Sequence, residues 1–353
     1  MKPWRSPLVL AIALSAVVGG ALVWATIRGP GGPPAGGEPD IVYVVLDRYA
    51  GGITLREQYG FDNGPFLRSL EARGFTVAGA SRCPYQKTAH SLAASLNMAY
   101  LPDLIDLRAA EPTDWGPLYD LLRGSRAARF LQTQGYEYVH IGNWWDPTAR
   151  DPFADVNVGF GTDSFYDREG IYEATPDQFE AIASAPARPG PTFVFAHVAL
   201  PHPPYVFDRE GRYVPPEVEA ARGREASYLE QLRHTNRLIG RMVDRLLARP
   251  DDPVIVLQAD EGPHPYAYEI DPLFDWTRAT DVELREKFFI LNAYYLPGSD
   301  ADIPPDISPV NTFRLIFREY FGADLDLLEG RSFIFRDERH LYGFRDVTSR
   351  LLP

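Results

Sequence analysis

Cysteine is almost missing from this sequence of 353 residues, where Cys83 stands alone. A single thiol excludes an internal disulfide framework and any cysteine-built zinc site. Basic side chains are also in deficit: 35 Lys and Arg face 48 Asp and Glu, for a formal net charge of −13. So acidic a chain argues against nucleic acid as a partner, because phosphate contacts draw on Lys and Arg. It is compatible with metal binding or with a cationic ligand. Past residue 27 no apolar run approaches the roughly 18 residues that a membrane span needs. No internal repeat is visible, and the only low-complexity stretch is GPGGPPAGGEP at 29–39. What the chain does have is a composition 45% hydrophobic and 13% aromatic, with 24% charged residues. That supports a sizeable core and rules out a disordered or collagen-like protein. The length suits one large α/β domain or two average ones.

Lys2 and Arg5 precede an uncharged, mostly apolar run at 8–27, LVLAIALSAVVGGALVWATI, which Arg28 ends. A helix of that length spans about 30 Å, the hydrocarbon thickness of a bilayer. The leading positive charges favour a cytoplasmic N-terminus and an exported remainder. A cleaved signal peptide is the competing reading, but its apolar core is usually only about 7–15 residues and Val23-Trp24-Ala25 is a poor cleavage pattern. We therefore read 1–7 as a cytoplasmic stub, 8–27 as a single transmembrane anchor and 28–39 as a Gly/Pro tether. Residues 40–353 then form one domain outside the cytoplasm, periplasmic or extracellular.

Within that domain, IVYVVL at 41–46 is a continuous apolar run of strand length, as expected of a strand buried on both faces. Similar runs recur at 136–141, 192–200, 254–258 and 288–296. Helical periodicity lies between them at 65–73, 88–98, 117–134 (two short helices), 225–247 and 311–321. The clearest is 225–247, with Tyr228, Leu232, Thr235, Ile239, Met242 and Leu246 on one face. Strands alternating with helices predict a mostly parallel sheet covered on both sides, with reactive groups at the strands' carboxyl ends. The region 271–286 and the tail after Gly322 are too irregular to assign.

At those ends stand Asp47-Arg48 and Asp260-Glu261-Gly262. Two acidic clusters brought together repel unless a cation or a proton lies between them, whereas either alone could simply cap a turn. Thr88 falls at the start of a helix, where free N–H groups and the helix dipole favour an anion; an ordinary N-cap is the plain alternative. His202, between prolines, is a candidate ligand for a transferring group, while His197 inside its apolar strand reads as a core histidine. Trp144 and Trp145 either wall a pocket or close the core.

Taken in order, these segments form a pattern. A strand ends in Asp, a Thr opens a helix and is followed by Ala-x-Ser, then come Gly142-x-Trp144, Pro201-His202-Pro203-Pro204-Tyr205 and a strand leading to Asp260-x-Gly262. The pattern resembles the alkaline phosphatase/sulfatase superfamily, specifically its sulfatase-like hydrolases and transferases, over about 40–321. The resemblance implies a three-layer α/β/α sandwich around the mostly parallel sheet. It implies that Asp47 is the first acidic metal ligand, that Thr88 is the nucleophile and that His202 contacts the phosphate or sulfate group. Asp260 and Glu261 stand where the family has an Asp-His pair completing the metal site.

Three departures refine the expectation. Cys83 does not sit in the Cys-x-Pro-Ser-Arg pattern of formylglycine sulfatases. Asn143 and Trp145 replace the Lys and His of the family's Gly-Lys-Trp-His at substrate-contacting positions, and His264 could line the same pocket. Glu261 replaces the metal-site His. Asp47, Thr88, Asp260 and Glu261 would make an all-oxygen site, which suits one divalent cation of the Ca²⁺, Mg²⁺ or Mn²⁺ kind rather than zinc. The expected protein is a membrane-anchored hydrolase or transferase of phosphate or sulfate esters, with lipid headgroups or envelope glycans as substrates and a covalent Thr88 intermediate. The alternative is a catalytically silent binding or assembly protein that keeps the fold.

Overall fold

The strands follow from their composition: apolar runs with few polar atoms are stable only where a sheet satisfies their backbone and layers on either side cover their faces. The computed structural model describes residues 38–160, 166–271 and 273–352. The expected anchor and most of the tether lie outside these residues. Among the described residues no helix is long and apolar enough to cross a membrane. Contacts group the chain into a main unit, 39–313 with 328–353, and a small one to which 314–327 belong. The sheet and the candidate site lie in the main unit.

Seven strands form one sheet: β1 (Ile41–Leu46), β2 (Thr76–Val77), β3 (Glu137–Ile141), β4 (Val156–Val158), β5 (Thr192–Val198), β6 (Val254–Gln258) and β7 (Asn292–Tyr295). Their order is β2-β7-β6-β1-β5-β3-β4. β1 lies at the centre, parallel to β5 on one side and to β6 on the other. β7 and β2 run antiparallel at one edge. The fold is thus mixed α/β around a mostly parallel sheet with helices on both sides.

Side-chain alternation along β1 divides the two faces. Val42, Val44 and Leu46 share a buried cluster with Ile171, Phe179 and Ile182 of the helix Arg168–Ser184, and with Leu232, Ile239 and Met242 of the helix Arg224–Leu247. Tyr43 points the other way, its ring 5.2 Å from Phe313 in an edge-on contact. Asp47 continues the series 43, 45, 47, so it belongs on this second face.

Among the described helices of eight residues or more, two were not expected. Pro176 inside Arg168–Ser184 obscures an otherwise helical stretch. The supposedly irregular region ends in the helix Asp281–Phe288, opened by a capping box in which Thr280 and Glu283 satisfy each other's backbone N–H groups. That helix also shortens the last expected strand, 288–296, to Asn292–Tyr295.

Candidate active site

Strand register builds the site. Val45 of β1 is level with His197 of β5 and with Gln258 of β6. Two residues further along parallel neighbours, Asp47 and Asp260 come level with each other, on the face to which His197 also points. Donor atoms of Asp47, His197 and Asp260 consequently lie within 4.8 Å of one another. All three side chains are buried.

Three atoms in this group have no hydrogen-bond partner: Asp47 Oδ1, His197 Nε2 and Asp260 Oδ2. Bare buried acceptors are costly and rare, so a cluster of them marks a place for a missing cationic partner. The two carboxyls respond oppositely to their surroundings. Burial, followed by the charges of Asp47 and Glu261, drives the Asp260 carboxyl well above the usual carboxylate range. Burial opposes ionisation of Asp47 too, yet its neighbours His202, His197 and Arg48 hold it below that range. Burial and Arg48 push His202 itself down to about 3, so near neutral pH the permanent charge acting on Asp47 is that of Arg48. The residues present fit a divalent cation: two carboxylates, an imidazole and a nearby hydroxyl are hard-to-borderline donors.

Arg48 itself adopts φ 60, the left-handed region that a side chain disfavours. This conformation directs its N–H at Asp260 Oδ1, 3.3 Å away, while its carbonyl accepts from the Tyr228 hydroxyl at 3.0 Å. Strain of this kind persists only where the surroundings over-determine it, and it is concentrated at functional sites.

Glu261 faces a different set of partners. Its Oε1 lies 2.8 Å from Lys287 Nζ, 3.3 Å from His264 Nε2 and 3.5 Å from Arg48 Nε. Lys287 also donates to the carbonyl of Gly262 at 2.9 Å. A glycine is required there: a Cβ at 262 would lie 2.3 Å from the carbonyl oxygen of Glu286. Burial, against the pull of Glu261, brings the Lys287 ammonium down to about 8.

Thr88 is the first residue of the helix Thr88–Leu96, with Lys87 at the N-cap position. Its hydroxyl interacts with the Asp260 carboxyl and favours the charged form. Thr88 opens on a cleft of 360 Å³ that Asp47, Arg48, His202, Glu261 and His264 also line. Trp115, Tyr119, Trp144 and Trp145 make its apolar walls, and Lys87 with Glu338 its rim. Lys87 Nζ is 2.8 Å from Glu338 Oε1.

The structure therefore brings together Asp47, Thr88, Glu261, His202, His264 and Trp145 around one cleft, and sets Asp260 beside Asp47 and Thr88 without lining it. Asn143 is nearby but buried, and it does not line the cleft: it donates to the carbonyl of His197 at 2.9 Å and accepts from the Trp145 N–H at 2.8 Å. Arg48 and Lys287 were not singled out from the sequence, although Arg48 adjoins Asp47. His197, read there as a core histidine, is fully buried but keeps one bare nitrogen facing the acids. Its position one pleat before the end of β5 is the signal that could have found it.

The mostly parallel sheet thus carries an acid pair at its carboxyl end, beside a helix that a hydroxyl opens. Residues 39–306 match the family model described as Sulfatase, and the chain belongs to that family. Solved structures agree on the fold. The C-terminal periplasmic domain of EptC from Escherichia coli superposes with a TM-score of 0.58 at 16% identity, covering 90% of this chain and 94% of that one. The corresponding domain of the phosphoethanolamine transferase EptC from Campylobacter jejuni gives 0.53 at 12% identity, covering 87% and 94%. The lipoteichoic acid synthase LtaP from Listeria monocytogenes gives 0.51 at 12% identity, covering 88% and 77%. No curated protein matches the sequence.

Proposed function

We propose that this chain is a membrane-anchored hydrolase or transferase of phosphate or sulfate esters, working outside the cytoplasm through a covalent Thr88 intermediate. The observation that carries this reading is the placement of the Thr88 hydroxyl at a helix N-terminus, open to the cleft and beside the bare acid pair Asp47 and Asp260. Asp47, Asp260 and Thr88 would hold one divalent cation, with Glu261 adjoining. A cation there supplies Lewis acidity, lowering the pKa of a bound hydroxyl and neutralising charge on the attacked group. The E. coli EptC domain, which shares the fold, has also been solved in complex with Zn.

The chain's own groups then divide the work. Thr88 Oγ, once its lowered pKa has released its proton to solvent, attacks phosphorus (or sulfur), so that its new ester bond forms as the bond to the leaving oxygen breaks and that oxygen takes a proton from water. Arg48 and the N–H groups of the helix face the developing charge. His202 Nδ1 is turned to the carbonyl of Pro203, which can only accept, so this nitrogen carries the proton. Nε2 is then the acceptor nitrogen, suited to orient through a hydrogen bond the water or acceptor hydroxyl that resolves the Thr88 ester. Water gives hydrolysis and an alcohol gives transfer. The half-buried Trp and Tyr walls suit a substrate with an apolar or ring-bearing moiety beside its anionic group, such as a lipid headgroup or envelope glycan.

The test is a panel of phosphate and sulfate esters offered to the metal-loaded full-length protein, followed by mass spectrometry of the trapped Thr88 peptide. A phosphoryl or sulfuryl adduct on Thr88 is the expected result. A second reading is favoured by Glu261, which stands in the family's His position and is engaged by Lys287. It is the silent binding or assembly protein, and a protein holding no stoichiometric metal and turning over no ester would establish it instead.

A further inference from the structure

We propose that His197 is a ligand of the site's metal, supplying from β5 the imidazole that the sequence lacks after Asp260, and that Thr148 and Asn143 position it. This inference rests on the reading above that the site holds a divalent cation.

The residue after Asp260 is Glu261, and Lys287, His264 and Arg48 already surround its Oε1. These groups balance the charge at Oε1, while Oε2 is buried without a hydrogen-bond partner, and no imidazole stands at that position. His197 offers one instead. Its Nε2 lies 3.6 Å from Asp47 Oδ2. That is longer than the usual N–H···O bond of about 2.7–3.2 Å. It is close to the separation of roughly 3.3 Å between two donors bound at about 2.0–2.1 Å to one tetrahedral ion. Nε2, Asp47 Oδ1 and Asp260 Oδ2 are all buried and without partners.

The neighbours of His197 Nδ1 set how the ring is held. Asn143 Oδ1 accepts from the Trp145 N–H at 2.8 Å, and Asn143 Nδ2 donates to the His197 carbonyl at 2.9 Å, so the orientation of this amide is fixed. The Thr148 hydroxyl lies 3.4 Å from Asn143 Oδ1 and 2.8 Å from His197 Nδ1. We take that hydroxyl as donor to Asn143 and as acceptor of the Nδ1–H. Nε2 is left with its lone pair aimed at the acids, the tautomer that binds metal. The loop carrying Thr148 is held close to β3: a Cβ on Gly142 would lie 2.1 Å from the carbonyl oxygen of Ala149. With one nitrogen among its donors, the site moves from the Mg²⁺, Ca²⁺ and Mn²⁺ preference of an all-oxygen set toward zinc.

The test is metal affinity of the full-length protein, with Zn²⁺ as the probe in competition with a chromophoric chelator. His197→Gln should weaken zinc binding by at least about 100-fold, and Thr148→Val by about 10–100-fold, as expected for loss of a ligand and of its hydrogen-bonded support. Thr148→Ser should restore most of the affinity, and Glu261→Gln should stay within about threefold of wild type. Should His197→Gln fail to fold, the wild-type protein loaded with Cu²⁺ gives an independent readout. Its electron spin echo should show modulation from a remote imidazole nitrogen that persists in His202→Gln and His264→Gln. Zinc binding in His197→Gln equal to wild type, or no nitrogen modulation in the wild type, overturns the assignment of His197 while leaving the metal-dependent reading intact. A wild-type protein that binds no divalent ion overturns both.

Discussion

Lys287 and Glu261 form an ion pair of 2.8 Å with 0% and 2% of their side chains exposed. A fully enclosed pair of this kind gains less than its Coulomb attraction suggests, because both charges have left water. What it enforces is mutual dependence: each residue makes the other tolerable. Glu261 lies beside Asp260, so Lys287 also offsets part of the negative charge that the two strand ends concentrate. The pair joins the turn after β6 to the helix Asp281–Phe288, and Gly262 allows the close approach that it requires.

Removing one partner should therefore cost far more than removing both. Lys287→Met leaves the Glu261 charge buried with only Arg48 to balance it, and should destabilise the protein by about 3 kcal/mol, the lower end of the range for a broken buried pair. The double variant Lys287→Met/Glu261→Gln should recover most of that loss. Urea denaturation of the three proteins checks it, and a double variant no more stable than Lys287→Met would show that the pair is not the coupled unit described.

Thr88→Ala should abolish turnover with little change in stability. The hydroxyl is not the helix cap, since the cap position belongs to Lys87, so its removal should cost less than the roughly 1 kcal/mol of a lost N-cap. Thr88→Ser keeps the nucleophilic oxygen and should retain activity. Ester turnover beside a melting curve distinguishes the two effects; wild-type turnover in Thr88→Ala would remove it as the nucleophile.

Much of this site is legible before folding, and the unreadable part has a definite cause. Asp47, Thr88 and Asp260 announce themselves because each ends a strand or opens a helix, positions that depend on local sequence alone. His197 does not. Its role depends on being level with Val45 of β1, and register between strands about 150 residues apart leaves no trace in either segment. Lys287 hides for a similar reason: in the sequence it is one charge in an amphipathic helix, and only the return of β7 to the sheet buries it. The helix 281–288 was readable, since Thr280-x-x-Glu283 is a capping box, but the charged residues that follow masked its short apolar face. The edge strands β2 and β7 run antiparallel, a choice that alternating apolar runs cannot reveal.

Gly262→Ala should be disproportionately damaging for the addition of one methyl group. Its Cβ would meet the backbone carbonyl oxygens of Glu286 and Lys287 at 2.3 Å and 2.8 Å, and backbone cannot swing aside as a flexible side chain can. Pushing these segments apart should cost about 1–3 kcal/mol, as other overpacked interiors do. It should also pull Lys287 from Glu261. Alanine tolerated at 262 with wild-type melting would contradict the close packing of this turn.

Acid sensitivity should trace in part to His90, which lies in the core rather than in the cleft. Its ring stacks on Phe335 with centroids 4.4 Å apart, and its Nε2 pairs with the Leu341 carbonyl at 3.0 Å. Burial drives its pKa from 6.5 to about 3. Because the folded value lies below the unfolded one, the unfolded chain binds the extra proton between these limits, and protonation favours unfolding. The contribution of His90 is fully present above pH 6.5 and is lost progressively as the pH falls toward 3, at up to about 1.4 kcal/mol per pH unit. His90→Phe should lower stability at pH 7 by about 1–3 kcal/mol through the unpaired carbonyl, yet flatten the decline below pH 6 by about one proton's worth. Urea denaturation at half-unit steps from pH 4 to 7 gives both slopes, and parallel slopes for the two proteins would show that His90 already carries a proton in the fold.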